Sequence, residues 1–304
     1  MASMRDIKRR KGSIQSTQQI TKAMKLVSTV KLQRARQNAE KSVSYFSCMY
    51  ETVTSILGMT MGMKHPYLDG GSAGKKAVIV MTSNRGLAGG YNSNIVKLVT
   101  GSFSKEDTVI YAVGKKGRDA LARQGYEIAV DASEIVEEPA YADAMCLTRR
   151  LLEAFEKGEI SEIYLAYTYF KNTVSHIPTL TKLLPVALQE KEPAEDTERE
   201  EVRGAQAEKE GQNDGEVRKA PMNFEMDDED ALNLIIPKYV TSLIYGGLVE
   251  SVASENGARM QAMDSATSNA EEMIEDLTLM YNRARQGSIT QELTEIIAGA
   301  GAIS

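Results

Sequence analysis

The chain has 304 residues, room for two ordinary domains, but only 6% are aromatic, none is Trp and 26% are charged, which excludes one large globule around a deep core. The formal charge of -6 conceals an asymmetry: residues 1–41 hold eleven Lys/Arg against two acids, whereas residues 189–230 hold sixteen acids against six bases, and blocks of this kind mark partner surfaces or tails. Two cysteines (Cys48, Cys146) and two histidines (His65, His176), none at metal-ligand spacing, argue against a disulfide framework or a zinc centre.

Residues 4–58 contain no Pro and only Gly12 before Gly58, and Ile7, Ile14, Ile20, Met24, Val27 and Val30 recur at roughly helical spacing. One helix of about 80 Å is expected, an N-terminal unit over residues 1–58. Its basic start lacks the apolar run of a signal peptide, and no stretch of the chain approaches the ~20 apolar residues that span a bilayer. The expectation is a chain without a transmembrane segment, in a reducing compartment or peripheral to a membrane. Gly58, His65-Pro66 and Asp69-Gly70-Gly71 then supply turn chemistry, and Met59, Met61 and Met63 are ordinary core candidates.

From Lys76 the period changes. Ala77-Val78-Ile79-Val80-Met81, Val109-Ile110-Tyr111-Ala112-Val113, Tyr126-Glu127-Ile128-Ala129-Val130 and Ile163-Tyr164-Leu165-Ala166-Tyr167 are strand-like runs. They alternate with helical patterns near residues 92–99, 117–124 and 143–155. Such alternation predicts a small Rossmann-like α/β domain with a largely parallel sheet over residues 74–188, closed by an edge hairpin of residues 163–170 and 174–186. Residues 189–221 are too polar to offset their ordering entropy and read as an acidic disordered insertion.

A second long helical pattern occupies residues 227–304, with Leu232, Ile235, Ile236, Val240, Leu243, Leu248 and, further on, Met260, Met263, Ile274 and Leu277. Pro237 near its start carries about 3 kcal/mol or a kink if it is interior; beyond it the helix could run about 90 Å. Two helices of this length, separated by a compact domain, bury their thin apolar stripes most economically on each other. Gly246-Gly247, Ser251, Ala253, Gly257, Ala258 and Ala262 would let the two backbones approach, so an antiparallel coiled coil projecting beyond the domain is expected. Any of Met24, Leu26, Met260 and Met263 left exposed then needs an external partner.

The segment Thr82-Ser83-Asn84-Arg85-Gly86-Leu87-Ala88-Gly89-Gly90-Tyr91-Asn92 leaves a strand and opens a helix, where a nucleotide phosphate would sit. Its glycines do not give G-x-G-x-x-G, and Gly70 to Lys75 is one residue short of a Walker A spacing, so a structural turn is the better reading. Two histidines cannot assemble a nucleophilic triad, and Glu271-Glu272 and Glu275-Asp276 lie on a helix, where a solvated face is the ordinary meaning. Neither catalytic residues nor a cofactor or metal site is expected. Lys8-Arg9-Arg10-Lys11, Lys22, Lys25, Lys31, Arg34 and Arg36 could neutralise phosphates, but residues 1–44 lack the aromatics that stack bases, which favours a protein partner. A basic coiled-coil adaptor or nucleic-acid-binding protein is the alternative reading.

Ile20-Thr21-Lys22-Ala23-Met24-Lys25-Leu26-Val27 with Lys31-Leu32 resembles the N-terminal signature of the gamma subunits of F-type ATP synthases. The resemblance recurs in Ser254-Glu255-Asn256-Gly257-Ala258-Arg259-Met260, in Tyr281-Asn282-Arg283-Ala284-Arg285-Gln286-Gly287-Ser288-Ile289-Thr290-Gln291-Glu292-Leu293, and in the turn Thr82 to Asn92, where Asn84 stands for the family's Asp and Ala88 for its Cys. It spans nearly the whole chain apart from the acidic insertion, which is longer than the family's usual connector.

The resemblance implies a central rotor shaft, one copy per complex, inside a ring of three alpha and three beta subunits, with a foot on the epsilon subunit and the membrane c ring. It implies no active site, no nucleic acid, and a peripheral place at the cytoplasmic face of a bacterial cell membrane. Met24, Arg285, Gln286 and Thr290 match positions where the family's shaft meets a catch loop of the beta subunits. Phe224 and Glu225 align with the foot, and Ile296 and Ile297 with an apolar tip turning in a hydrophobic sleeve. Some plant members carry a regulatory cysteine pair in an insertion; this chain has none there, and no thiol switch is expected.

Overall fold

The computed structural model describes residues 4–59, 65–69, 74–186 and 228–301. Two helices bracket the fold: α1 (Met4–Met59) and, at the other end, a single 74-residue helix (Asp228–Gly301). Between them come the short α2 (Pro66–Asp69), β1 (Lys75–Met81), α3 (Tyr91–Ser102), β2 (Thr108–Val113), α4 (Lys115–Arg123), β3 (Glu127–Asp131), a 3₁₀ turn (Ser133–Val136), α5 (Tyr141–Glu156), β4 (Ile160–Phe170) and β5 (His176–Leu184). The C-terminal helix is α6.

The sheet runs β3-β2-β1-β4-β5, parallel except for the β4–β5 hairpin. The hairpin turn is set by Asn172, whose Oδ1 accepts from the N–H groups of Val174 (2.9 Å) and Ser175 (2.6 Å), the local bonding that makes Asn a turn former. The central strands are buried on both faces, as their unbroken apolar runs require. Ile95 and Val99 of α3 and Leu121 of α4 pack on one face against Val78, Val80 and Ile110. On the other face Leu151 of α5, Val53 and Ile56 of α1, and Leu232, Ile236, Val240, Ile244 and Leu248 of α6 pack against Ile79, Met81 and Leu165.

The expected antiparallel pairing of the two long helices is present, and polar contacts fix its register. Gln18 Nε2 donates to Glu271 (2.9 Å), the Thr21 and Thr267 hydroxyls pair at 2.8 Å, and Lys25 Nζ meets Asp264 at 2.5 Å. Further down, Leu32 and Ala35 pack on Ala253, and Phe46 meets Tyr245. Paired positions thus run in opposite directions along the two chains. At 1.5 Å per residue α6 is about 110 Å long, and the part beyond Ala262 projects about 60 Å from the α/β domain.

Three sequence expectations need correction. Pro237 lies inside α6, which continues through it: Leu232, Ile236 and Val240 bury the helix on both sides, and Thr241 Oγ1 donates back to the Pro237 carbonyl (2.7 Å). The small residues of α6 serve mainly the sheet, not α1. Gly247 faces Leu165 and Met81, Ser254 Oγ donates to the Thr168 carbonyl (3.0 Å), and Gly257 abuts His176 and Phe170, whereas Ala253 does meet α1 and Gly246 faces Phe46. Finally, α6 is apolar enough by length and composition to pass for a membrane span, since an 18-residue window reaches a mean hydropathy of 1.3. Half of that window is buried inside the molecule, as befits a helix whose apolar face lies on a sheet. The acidic insertion, 189–221, and Met61 and Met63 lie outside the described residues, as does the Met59 side chain.

Candidate partner surfaces of the shaft

Helix α1 carries two apolar faces. Thr21, Ser28, Leu32 and Ala35 are buried on the α6 side. At 100° per residue, Ile20, Leu26, Val27 and Val30 fall within an arc of about 120° on the opposite side, and all four are 59–62% exposed. A helix paired on one side needs one apolar stripe; the second has nothing to cover it within the described residues. Sequence reading took Ile20, Val27 and Val30 as seam positions. Plotting them at 100° per residue would have separated the two arcs, because the seam itself is partly built from Thr21 and Ser28.

By the pairing register, the first described residue of α1, Met4, lies level with about Arg285, so α6 continues alone for some 24 Å. On this free stretch Ile289, Leu293, Ile296 and Ile297 recur at i, i+4, i+7 and i+8 and are 49–70% exposed, a one-sided stripe. The remaining face is polar, and its side chains bond within the helix: Thr290 Oγ1 to the Gln286 carbonyl (2.9 Å), Gln291 Nε2 to Glu295 (3.0 Å) and Thr294 Oγ1 to the Thr290 carbonyl (2.8 Å). Ile296 and Ile297 therefore sit on an amphipathic tip, not on one that is apolar all round.

Arg285, Gln286 and Thr290 are all exposed on this tip helix, within two turns of each other. Met24 is half-buried and stands beside Lys25, whose partner is Asp264. That places Met24 about 30 Å down the shaft from Arg285, so the four residues form two levels of contact and not one patch. Of the other apolar candidates, Leu26 is exposed, Met260 is half-buried against Leu32 and Ala253, and Met263 is buried. Phe224 and Glu225 lie outside the described residues.

The turn from Thr82 to Asn92 is tied down throughout. The Ser83 N–H donates to Asn92 Oδ1 (2.9 Å) and Ser83 Oγ to the Arg85 carbonyl (2.5 Å), while Asn84 Nδ2 donates to the Ser133 carbonyl (2.7 Å) and its Oδ1 accepts from the Lys115 N–H (3.1 Å). Leu87 and Gly89 hold positive φ of 63° and 55°. Where a nucleotide would lie, above the carboxyl ends of β1 and β4, α6 lies instead: Ser251 sits on Met81, Ala262 faces Gly89, and Arg259 reaches the Gly86 carbonyl (3.4 Å). Burial and the Glu255 charge push the Tyr91 phenol up. No three His, Cys, Asp or Glu side chains among the described residues are grouped to hold a metal, and both Cys48 and Cys146 are free and exposed.

Fold and surfaces together define a two-helix shaft seated on a small α/β domain, with apolar surface left open along and beyond the shaft. The profile of the ATP synthase family matches residues 3–303. The chain is 62% identical over 309 residues to the ATP synthase gamma chain of Lachnoclostridium phytofermentans, covering all of both chains, and 40% identical over 303 residues to the sodium ion specific ATP synthase gamma chain of Acetobacterium woodii, covering 99% of each. Its fold is similar to a chain of the Euglena gracilis mitochondrial ATP synthase, with a TM-score of 0.62 at 18% identity, covering 99% of this chain and 94% of that one. The chain belongs to the ATP synthase gamma-chain family.

Proposed function

We propose that this chain is the central rotor shaft of an F-type ATP synthase, coupling ion flow through a membrane c ring to ATP synthesis or hydrolysis on the beta subunits. The observation that carries the reading is the second apolar face of α1, continued by the stripe on the free end of α6. Solvated apolar surface of this extent calls for a collar of protein around the shaft. The shaft contributes no active site. It acts by presenting different contacts to each surrounding subunit as it turns, because only differential contact shifts a conformational equilibrium.

In this reading one copy stands within three alpha and three beta subunits, at the cytoplasmic face of a bacterial membrane, with its lower end on the epsilon subunit and c ring through the segment holding Phe224 and Glu225. Arg285, Gln286 and Thr290 offer hydrogen bonds to a beta catch loop near the top, Arg285 as a planar fork suited to carboxylates. Met24 meets a second, lower level. Ile296 and Ile297 pack in a hydrophobic sleeve.

The test is co-expression with the alpha and beta subunits of the same organism, purification through a tag on beta, and assay of ATP hydrolysis. Recovery of one copy per hexamer, with turnover that depends on this chain, is expected. Failure of a folded, helical chain to join the complex would overturn the reading, and the basic face of α1 would next be tested on nucleic acid.

A further inference from the structure

Resting on the rotor reading, we propose that the Glu255–Arg259 pair is a lock that fixes the upper end of the α/β domain at one angle on the shaft, so that domain and shaft turn as one body. Below Leu248, α6 is joined to the domain by apolar side chains of the main core. Apolar contact is non-directional: it resists separation more than sliding. Above Leu248 the apolar contacts thin to Phe170 against Ala253 and Gly257, and polar, short-range ones join them. Arg259 Nη2 donates to Glu255 Oε1 at 2.6 Å, with both side chains only 12% exposed, and also reaches the Gly86 carbonyl at 3.4 Å. Ser254 Oγ donates to the Thr168 carbonyl at 3.0 Å, and Ser251 Oγ lies against Met81 Sδ at 3.6 Å.

Charges on two further elements act on the pair. Lys31 of α1 acts on Glu255 in the same sense as Arg259, while Glu137, after the 3₁₀ turn, acts against it. Glu137 is in turn held by Arg85 of the loop at 3.5 Å. The pair on shaft helix α6 thus touches the β1–α3 loop at Gly86 and lies in the field of charges on α1 and beside the 3₁₀ turn. A buried ion pair contributes little net stability against an apolar substitute, and its best attested use is to specify register. Here the register specified is the angle between domain and shaft, and Glu255 and Arg259 act as positioning residues.

The test compares Arg259→Gln and Arg259→Lys with the parent chain, first alone and then in the assembled, membrane-embedded complex. Lysine keeps a positive charge one turn from Glu255 but presents a shorter, single ammonium in place of the guanidinium whose Nη2 meets both Glu255 and the Gly86 carbonyl. In the purified full chain, amide exchange over residues 83–91 should rise about tenfold in Arg259→Gln, with β2 and β3 unchanged. In the complex, ions pumped per ATP hydrolysed should fall at least twofold in Arg259→Gln, less in Arg259→Lys, while hydrolysis stays within about twofold. Unchanged exchange, or faster exchange with an unchanged pumping ratio, would overturn the lock. Equal loss of pumping and hydrolysis in both variants would reduce the pair to a fold-stabilising role and also overturn it. Absence of pumping with the parent chain would instead count against the rotor reading itself.

Discussion

The lower and upper parts of α6 both carry large apolar side chains, more densely below than above, and these meet opposite fates. From Leu232 to Leu248 the large aliphatic side chains facing the sheet are fully or almost fully buried, whereas Leu279, Met280, Leu293, Ile296 and Ile297 are at least half exposed. The lower part stabilises this chain; the upper part is available to another. Twelve of residues 231–249 are hydrophobic against eight of residues 279–297, but an apolar helical stripe does not by itself say whether its own chain covers it. What separates them is the neighbour. Where a sheet lies alongside, glycines at 247 and 257 bring the helix close, and where only α1 lies alongside, the seam buries a few apolar groups such as Ile7, Met263 and Leu277, sets its register with Thr21–Thr267 and Lys25–Asp264, and leaves a second set of apolar groups outward.

The most severe break of this contrast is truncation of one side chain from each part. Ile236→Ala removes a fully buried group from the main core and should lower unfolding free energy by about 2–5 kcal/mol. Val27→Ala, on the open arc of α1, should change it by no more than about 0.5 kcal/mol. Urea unfolding followed by helical circular dichroism measures both, and comparable losses would mean that the open arc is covered within this chain.

A smaller effect is expected at Gly257, where an added Cβ would lie 2.5 Å from His176 Nε2 and 3.3 Å from Phe170. Gly257→Ala should cost about 1–3 kcal/mol through overpacking, whereas Gly287→Ala, whose added Cβ would meet nothing within 4 Å, should raise helix stability slightly. Thermal unfolding of the two variants against the parent chain reads the sign directly, and a neutral Gly257→Ala would show that α6 can lift from the hairpin without loss.

Much of this was legible in the sequence. The change from a period near 3.6 to short apolar runs located every strand to within a few residues, whereas the uninterrupted passage of the second helix through Pro237 was not legible. The turn from Thr82 to Asn92 was legible as structural because its glycines miss the phosphate-binding spacing. Its function as a seat for α6 was not, since the Arg259 to Gly86 contact joins residues 173 positions apart. The same limit hid the split between Met24 and Arg285. Each matches a motif locally, but only the antiparallel register shows that they stand at different heights. Glu255 and Arg259 have the i, i+4 spacing of an ordinary surface pair; that both side chains are only 12% exposed is visible in the fold alone.

Protonation gives a gentler probe of the seat of α6. Burial lowers the His176 pKa below 6.5, so as pH falls the unfolded chain takes up the proton first. The stability contributed by the neutral ring is fully present above about pH 6.5 and is lost as pH falls through the window down to the folded value. Glu255 has the opposite sign: burial raises its pKa above 4.5, partly offset by Arg259, so its contribution is present below that value and lost as pH rises through the folded one. The urea midpoint of His176→Gln should therefore fall less between about pH 7 and 5.5 than that of the parent chain. Parallel slopes would place His176 in water.

The smallest expected effect on the chain itself is at the tip, where the contrast is sharpest because stability and function should separate. Ile296→Ser with Ile297→Ser removes two groups that are 67% and 70% exposed and beyond the reach of α1, so urea unfolding should shift by no more than about 0.5 kcal/mol. If a sleeve covers the stripe in the complex, the same pair of changes loses up to about 1.5–3 kcal/mol of apolar burial per side chain and should reduce co-purification with tagged beta or lower hydrolysis several-fold. Arg285→Leu with Gln286→Leu leaves that apolar surface intact and removes directional bonds, so assembly should persist while turnover falls. Full turnover in both variants would confine the partner contacts to the open face of α1 and leave the free end of α6 without a role in coupling.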